Sequence, residues 1–157
     1  MQRIRKMEKL PQFKYLGHLE GQDRADWLTS ADVVVMPSLH EPFGIVALEA
    51  MASGAVLLQT GVNGLAEFCN DSNSIRIEPN ARSIVAAVNR AIIEREESAI
   101  MTRNAHETAK RFTWGGVADR VVSCYRRIID QTSEHKSTFT HWIPSKLSTA
   151  AFTAGKL

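Results

Sequence analysis

Two short apolar runs, "VVVM" at Val33–Met36 and "AVLL" at Ala55–Leu58, do most to narrow the folds open to this chain. Neither alternates with polar residues, and both are bounded by breakers: Pro37 follows the first, while Gly54 and Gly61 flank the second. A strand apolar at every position must be covered on both faces, which is the condition of a parallel sheet. Between the runs, Ile45–Ala52 is apolar nearly all round and reads as a buried helix. Strand, helix and strand in that order make a βαβ unit.

The flanking sequence extends the pattern. "FKYLG" (Phe13–Gly17) reads as a strand leading into a turn, and "GQDRADWLTSAD" as a short helix with Gln22 and Asp23 as capping candidates. "SIRIEP" (Ser74–Pro79) reads as a more amphipathic strand. Asn80 is a good N-cap for a helix whose face carries Ile84, Val85, Val88, Ala91 and Ile92. A charged helix is expected over about Glu96–Arg111, and Glu94, Glu96 and Glu97 with the nearby Arg residues read as a solvated helical face. Another helix follows "FTWGG", with Val117, Val121, Cys124, Tyr125, Ile128 and Ile129 as its stripe. The expected class is α/β: a Rossmann-like parallel sheet with helices on both faces, about four strands and five helices. Residues 1–12 form a basic lead and residues 13–130 the domain. Residues 131–157, rich in Ser, Thr and Lys without clear period, read as a disordered or weakly docked tail.

Composition removes several function classes. In 157 residues with 44% apolar content there is enough to build a core. Net charge is +2 with both signs mixed, and no Lys/Arg tract is interleaved with aromatics, so nucleic-acid binding is not expected. No apolar run approaches the roughly 18 residues of a membrane span, and the basic lead lacks the apolar core of a signal peptide. Cytoplasm is the default location, with peripheral contact to an anionic membrane left open. Cys69 and Cys124 have neither a CxxC partner nor a His at ligand spacing, so they read as buried or half-buried thiols, and no metal site is expected.

Ligands of an open parallel sheet bind beyond the carboxyl ends of its strands. Three loops leave those ends, over 17–21, 38–44 and 60–64. The middle one, "SLHEPFG", holds Glu41, with Glu49 eight positions on. Pro42 suits a first helical turn, which would leave the amides of Phe43, Gly44, Ile45 and Val46 as free donors at a positive helix end. Gly44 removes a side chain where a ligand could approach. Such a helix start is an anion site, with phosphate as its usual guest. Carboxylates repel phosphate, so Glu41 and Glu49 make better sense as acceptors for hydroxyls. Eight residues of helix rise about 12 Å, enough to bracket a pyrophosphate with a sugar near Glu41 and a ribose near Glu49. A capped helix whose acids merely favour its positive end explains the same pattern. His40 could approach the sugar, although a loop position explains it more simply. Glu67 could hold its own loop by accepting amide hydrogens.

"MPSLHEPFGIVALEAMASG" closely resembles the signature of retaining GT-B glycosyltransferases of family 4, the glycosyl transferases group 1 type. Also similar to that family, in the same order, are "YLGHL", "SADVVVMPS", "TGVNGLAEFCND" and "NAHETAKRFTWGGVADRVVSCY". The resemblance covers about Phe13 to Ile129 and implies the C-terminal, donor-binding half of a GT-B fold. It implies transfer of a hexose from a nucleotide diphosphate sugar with retention. Glu41 would be the catalytic position at the sugar hydroxyls and Glu49 the ribose contact. The amides of Phe43, Gly44, Ile45 and Val46 would hold the diphosphate, and Gly17 and His18 would lie near the base. No cofactor or metal is implied, because helix dipole and basic side chains stabilise the leaving diphosphate.

Two departures stand out. Asn63 replaces the first Gly of the family's pair. Nothing before Phe13 matches the family's Gly-Arg…Lys-Gly segment, whose basic residues contact the diphosphate. The expectation is therefore the last two-thirds of a donor domain, without the acceptor-binding partner domain, and with an acceptor (glycan, lipid or small molecule) left unidentified. The alternative is a non-enzymatic remnant that binds nucleotide sugars without turnover.

Overall fold

The computed structural model describes residue 4 and residues 7–139, with side chains through residue 132. Its elements run α1 (Gly21–Ser30), β1 (Val33–Met36), α2 (Ile45–Ser53), β2 (Val56–Gln59), a 3-10 turn (Asn63–Glu67), β3 (Ile75–Arg76), α3 (Ala81–Ile93), α4 (Arg95–Ala109) and α5 (Trp114–Phe139). The chain divides into two units, residues 1–112 and 113–157.

The first unit is built on a parallel sheet in the order β1-β2-β3. Val33 to Met36 pair in register with Val56 to Gln59, and Leu58 and Gln59 with Ile75 and Arg76. Side chains alternate between two cores, as the pleat requires. Leu57 joins Ala47, Ala50, Met51, Leu65, Phe68 and Ala105 on one face, with Val34 and Met36 packed against that cluster. Val56 and Leu58 join Ile75, Ile77, Ala87, Ala91 and Met101 on the other, with Val33 and Val35 beside them. Helix α4 serves both faces through Ala105 and Met101. This is why both runs had to be apolar throughout, and the α/β, Rossmann-like class stands.

Asn80 caps α3 as its sequence suggests, its side chain accepting from Ser83 N–H at 2.9 Å. At the α3–α4 junction Arg90 donates to Glu94 at 2.7 Å and to Glu97 at 3.1 Å. The Arg90 hydrogen bond holds the Glu94 carboxyl below its ordinary range. His106 Nδ1 donates to Ala52 O at 3.1 Å, tying α4 to the end of α2.

Four expectations need correction. Phe13–Gly17 forms no strand, and the sheet has three strands rather than four among the described residues. A strand exists only with a neighbour to receive its ladder bonds, and among the described residues β1 pairs with β2 alone. Helix α2 is not buried all round: Ala47, Ala50 and Met51 are buried, whereas Ile45 is 53% exposed in the first turn. Of the two thiols, Cys69 is half-buried, and burial pushes it up to about 11, but Cys124 is exposed. Finally, α5 runs through to Phe139 with no break at 130. Residues 140–157 of the expected tail lie outside the described residues, as do residues 1–3, 5 and 6 of the lead.

The second unit contains α5. Thr113 Oγ1 accepts from Gly116 N–H at 3.1 Å, which satisfies a donor in a first turn that carries two glycines. The expected stripe exists along this helix, and Tyr125, Ile128 and Ile129 within it are exposed. No helix among the described residues is long and apolar enough to cross a membrane.

Candidate functional site

The carboxyl ends of β1 and β2 open onto two loops that lean on one another. Thr60 Oγ1 donates to Ser38 O at 2.7 Å, and Gly64 N–H donates to Glu41 O at 3.0 Å. The approach at Gly64 is so close that a Cβ there would sit 2.4 Å from Phe43 Cα and from Pro42 O. Behind this junction the rings of Phe43, Phe68 and Phe112 form a mutual cluster, with centroids 5.4 to 6.0 Å apart. Phe68 O in turn accepts from the buried Asn73 Nδ2, which also reaches Thr108 Oγ1 on α4. The loop that starts α2 is thus held from below by aromatic packing and from the side by backbone.

Helix α2 begins at Ile45, three residues later than a helical Pro42 would place it. The cause is Gly44, whose φ of 100° and ψ of 50° are left-handed. Gly44 O takes the first intrahelical bonds, from Ala47 N–H at 3.0 Å and Leu48 N–H at 3.2 Å. Among the described residues, no acceptor takes the N–H of Phe43, Gly44, Ile45 or Val46. Four donors therefore stand free at the positive end of a helix, on the carboxyl rim of the sheet.

The two glutamates flank these amides but differ in state. Glu41 is half-buried, and its carboxylate has no hydrogen bond or ion pair among the described residues. Glu49 keeps a side chain only 29% exposed. Its Oε1 accepts from Arg24 Nη2 on α1 at 2.7 Å, whereas its Oε2 is buried without a partner. A buried polar atom left without a donor costs about 1–3 kcal/mol, so a ligand hydroxyl there would offset a real penalty.

Other expected residues fare differently. Gly17 adopts φ 69°, the left-handed turn its position suggests. His18 is 82% exposed and bonds through Nε2 to Glu20 Oε1 at 3.0 Å. No hydrogen bond or ion pair joins either residue to the start of α2 among the described residues. Glu67 is exposed and accepts no amide hydrogen there, so the role read for it in holding its loop is not seen. Asn63 keeps the backbone that a glycine would supply: its φ is 47°, and Asn tolerates the left-handed region best after Gly. The departure in sequence leaves the local conformation glycine-like. Arg24 was not singled out by sequence; a partner 25 positions away on another helix leaves no local signal.

A second concavity, of about 680 Å³, lies at the opposite, amino end of the sheet, lined by Val33, Val56, Val88, Ile92 and Arg95 among others. It shares no residue with the rim.

Comparison with known proteins accords with this geometry. The family described as Glycosyl transferases group 1 matches residues 2–108. An uncharacterized glycosyltransferase of Methanocaldococcus jannaschii is 36% identical over 115 residues, 71% of this chain and 30% of that protein. A D-inositol 3-phosphate glycosyltransferase of Saccharomonospora viridis is 35% identical over 115 residues, 72% of this chain and 27% of that protein. The chain thus spans less than a third of the length of these relatives. Among solved structures, sucrose-phosphate synthase of Thermosynechococcus elongatus shares the fold with a TM-score of 0.73 at 24% identity, over 83% of this chain and 33% of that one. Anabaena HepE, solved in complex with UDP and glucose, superposes with a TM-score of 0.64 at 25% identity, over 85% of this chain and 35% of that one. With a family match over residues 2–108 and a parallel sheet with helices that matches GT-B glycosyltransferase structures, the chain belongs to the glycosyl transferases group 1 family.

Proposed function

We propose that residues 1–112 bind a nucleotide diphosphate sugar along the carboxyl rim and serve transfer of its hexose to an acceptor with retention of configuration. One observation carries the reading: at the start of α2 four amides, unengaged among the described residues, lie in sequence between Glu41, whose carboxylate has no partner there, and Glu49, which has one buried unpartnered oxygen. The amides of Phe43, Gly44, Ile45 and Val46 take the diphosphate, and as it leaves, the helix dipole stabilises its charge. Glu41 accepts hydroxyls of the transferred sugar and orients it, and Glu49 accepts from the ribose. Gly17 and His18 stand by the base. No resident metal or cofactor is invoked. The acceptor, a glycan, lipid or small molecule, is met by a separate acceptor-binding domain. The setting is cytoplasmic, with membrane contact at most peripheral. The UDP and glucose in HepE support a nucleotide-sugar ligand for this rim.

Titration of UDP-, GDP- and ADP-glucose into the chain tests the reading. One of them is expected to bind saturably, and Glu49→Ala to weaken it about tenfold, the loss of one hydrogen bond to a charged group. Unchanged affinity in that variant would remove the ribose role. Saturable binding without transfer or hydrolysis of the donor would favour the binding module over the enzyme.

A further inference from the structure

Arg24 occupies a position that its own helix does not explain. It lies near the positive end of α1, where a cation is disfavoured by the helix dipole. Helix α1 buries none of its residues, so packing does not fix the side chain there either. The Arg24 side chain is 42% exposed, and a pair this open adds little to stability. What the pair does do is geometric. The 2.7 Å bond from Nη2 occupies one oxygen of Glu49 and so fixes the plane of the carboxylate. The other oxygen is left buried, without a donor.

We propose that Arg24 is a positioning residue for ribose recognition: by holding Oε1 of Glu49, it presents Oε2 as the acceptor for a ribose hydroxyl. The proposal rests on the reading of Glu49 as the ribose contact. Arg24 touches no ligand in this account and acts only through the carboxylate. A freely rotating Glu49 would have to be ordered at each binding event, and Arg24 makes that ordering part of the folded state.

The test compares ligands with and without the hydroxyls. The tightest binder among UDP, GDP and ADP is titrated into the full chain beside its 2′,3′-dideoxy counterpart. The proteins are wild type, Arg24→Ala, Arg24→Lys, Glu49→Ala and the double variant with Arg24→Ala and Glu49→Ala. Thermal melting confirms that each is folded. Wild type is expected to prefer the ribonucleotide. Arg24→Ala should lose about tenfold in affinity for it, with no change for the dideoxy ligand, and Arg24→Lys should recover part of the loss. In the Glu49→Ala background the Arg24 substitution should have no further effect. An equal loss for both ligands would overturn the proposal by assigning Arg24 to the phosphates or to the fold. Tighter binding by Arg24→Ala would overturn it too, by making Arg24 a competitor for the carboxylate. If wild type prefers the ribonucleotide and Arg24→Ala binds it unchanged, this proposal alone fails. If wild type does not distinguish the two ligands, the Glu49 reading fails and takes this one with it.

Discussion

Gly64→Ala is expected to lower stability by about 3 kcal/mol, at the upper end for overpacking, and to abolish donor binding. The added Cβ would meet Phe43 Cα and Pro42 O at 2.4 Å and Pro42 C at 2.7 Å. These are backbone atoms, so no rotamer change relieves the overlap, and one of the two loops must move. Moving either breaks the Gly64 N–H bond to Glu41 O and displaces the amides that follow Pro42. Chemical denaturation gives the stability change and calorimetry the affinity. Gly115→Ala is the control, because a Cβ there meets nothing within 4 Å; it should be neutral or slightly stabilising. A Gly64→Ala protein with wild-type stability and affinity would mean that the two loops do not share this contact.

The second large effect couples Gly44 to Leu65. A Cβ on Gly44 would lie 2.6 Å from Cδ2 of Leu65, which is fully buried in the core cluster with Ala47, Met51 and Phe68. The left-handed φ adds about 1–2 kcal/mol for any L side chain, so Gly44→Ala should cost about 3 kcal/mol once overpacking is included. Leu65→Ala alone should cost about 2–5 kcal/mol through the cavity it leaves. In the double variant the new methyl enters the space that Leu65 vacates, so the two costs should not add. Only the backbone part of the Gly44 penalty should remain. Urea unfolding of the four proteins closes the cycle, and strict additivity would refute the contact.

Much of the fold could be read locally because its determinants are local. The apolar runs at Val33–Met36 and Ala55–Leu58 declare packing on both faces, complete for β2 but only half-burying β1, and Asn80 declares a helix start; each needs only its neighbours in sequence. Phe13–Gly17 shows the limit. Its aromatic, turn-ended pattern is strand-like, yet a strand is a pairing, and nothing in five residues says what lies alongside. Gly44 was legible as important but for an incomplete reason. A gap for a ligand is the sequence reading, while the structure adds a left-handed backbone and a neighbour, Leu65, that leaves no space for a Cβ. The left-handed backbone of Gly44, not Pro42, decides where α2 begins. Asn63 looked like a loss and is not one, since its conformation is the one a glycine would take.

The site divides in the same way. Glu41, Glu49 and the four amides lie within nine residues of sequence, and their order along one loop and helix is enough to suggest the cradle. Gly64 and Arg24 are brought there by the sheet and by α1, and spacing alone predicts neither contact. Gly17 and His18 were assigned by family resemblance, and no bond ties them to the rim among the described residues.

The central claim is that the amides starting α2 receive the diphosphate. It is tested most directly by following backbone amide resonances of ¹⁵N-labelled protein during titration with a nucleoside diphosphate. Saturable shifts are expected, concentrated at Phe43, Gly44, Ile45 and Val46, with a smaller response at Gly64. Saturable binding that leaves those four amides unmoved, or that shifts Val33 and Val56 at the amino end of the sheet instead, would contradict it.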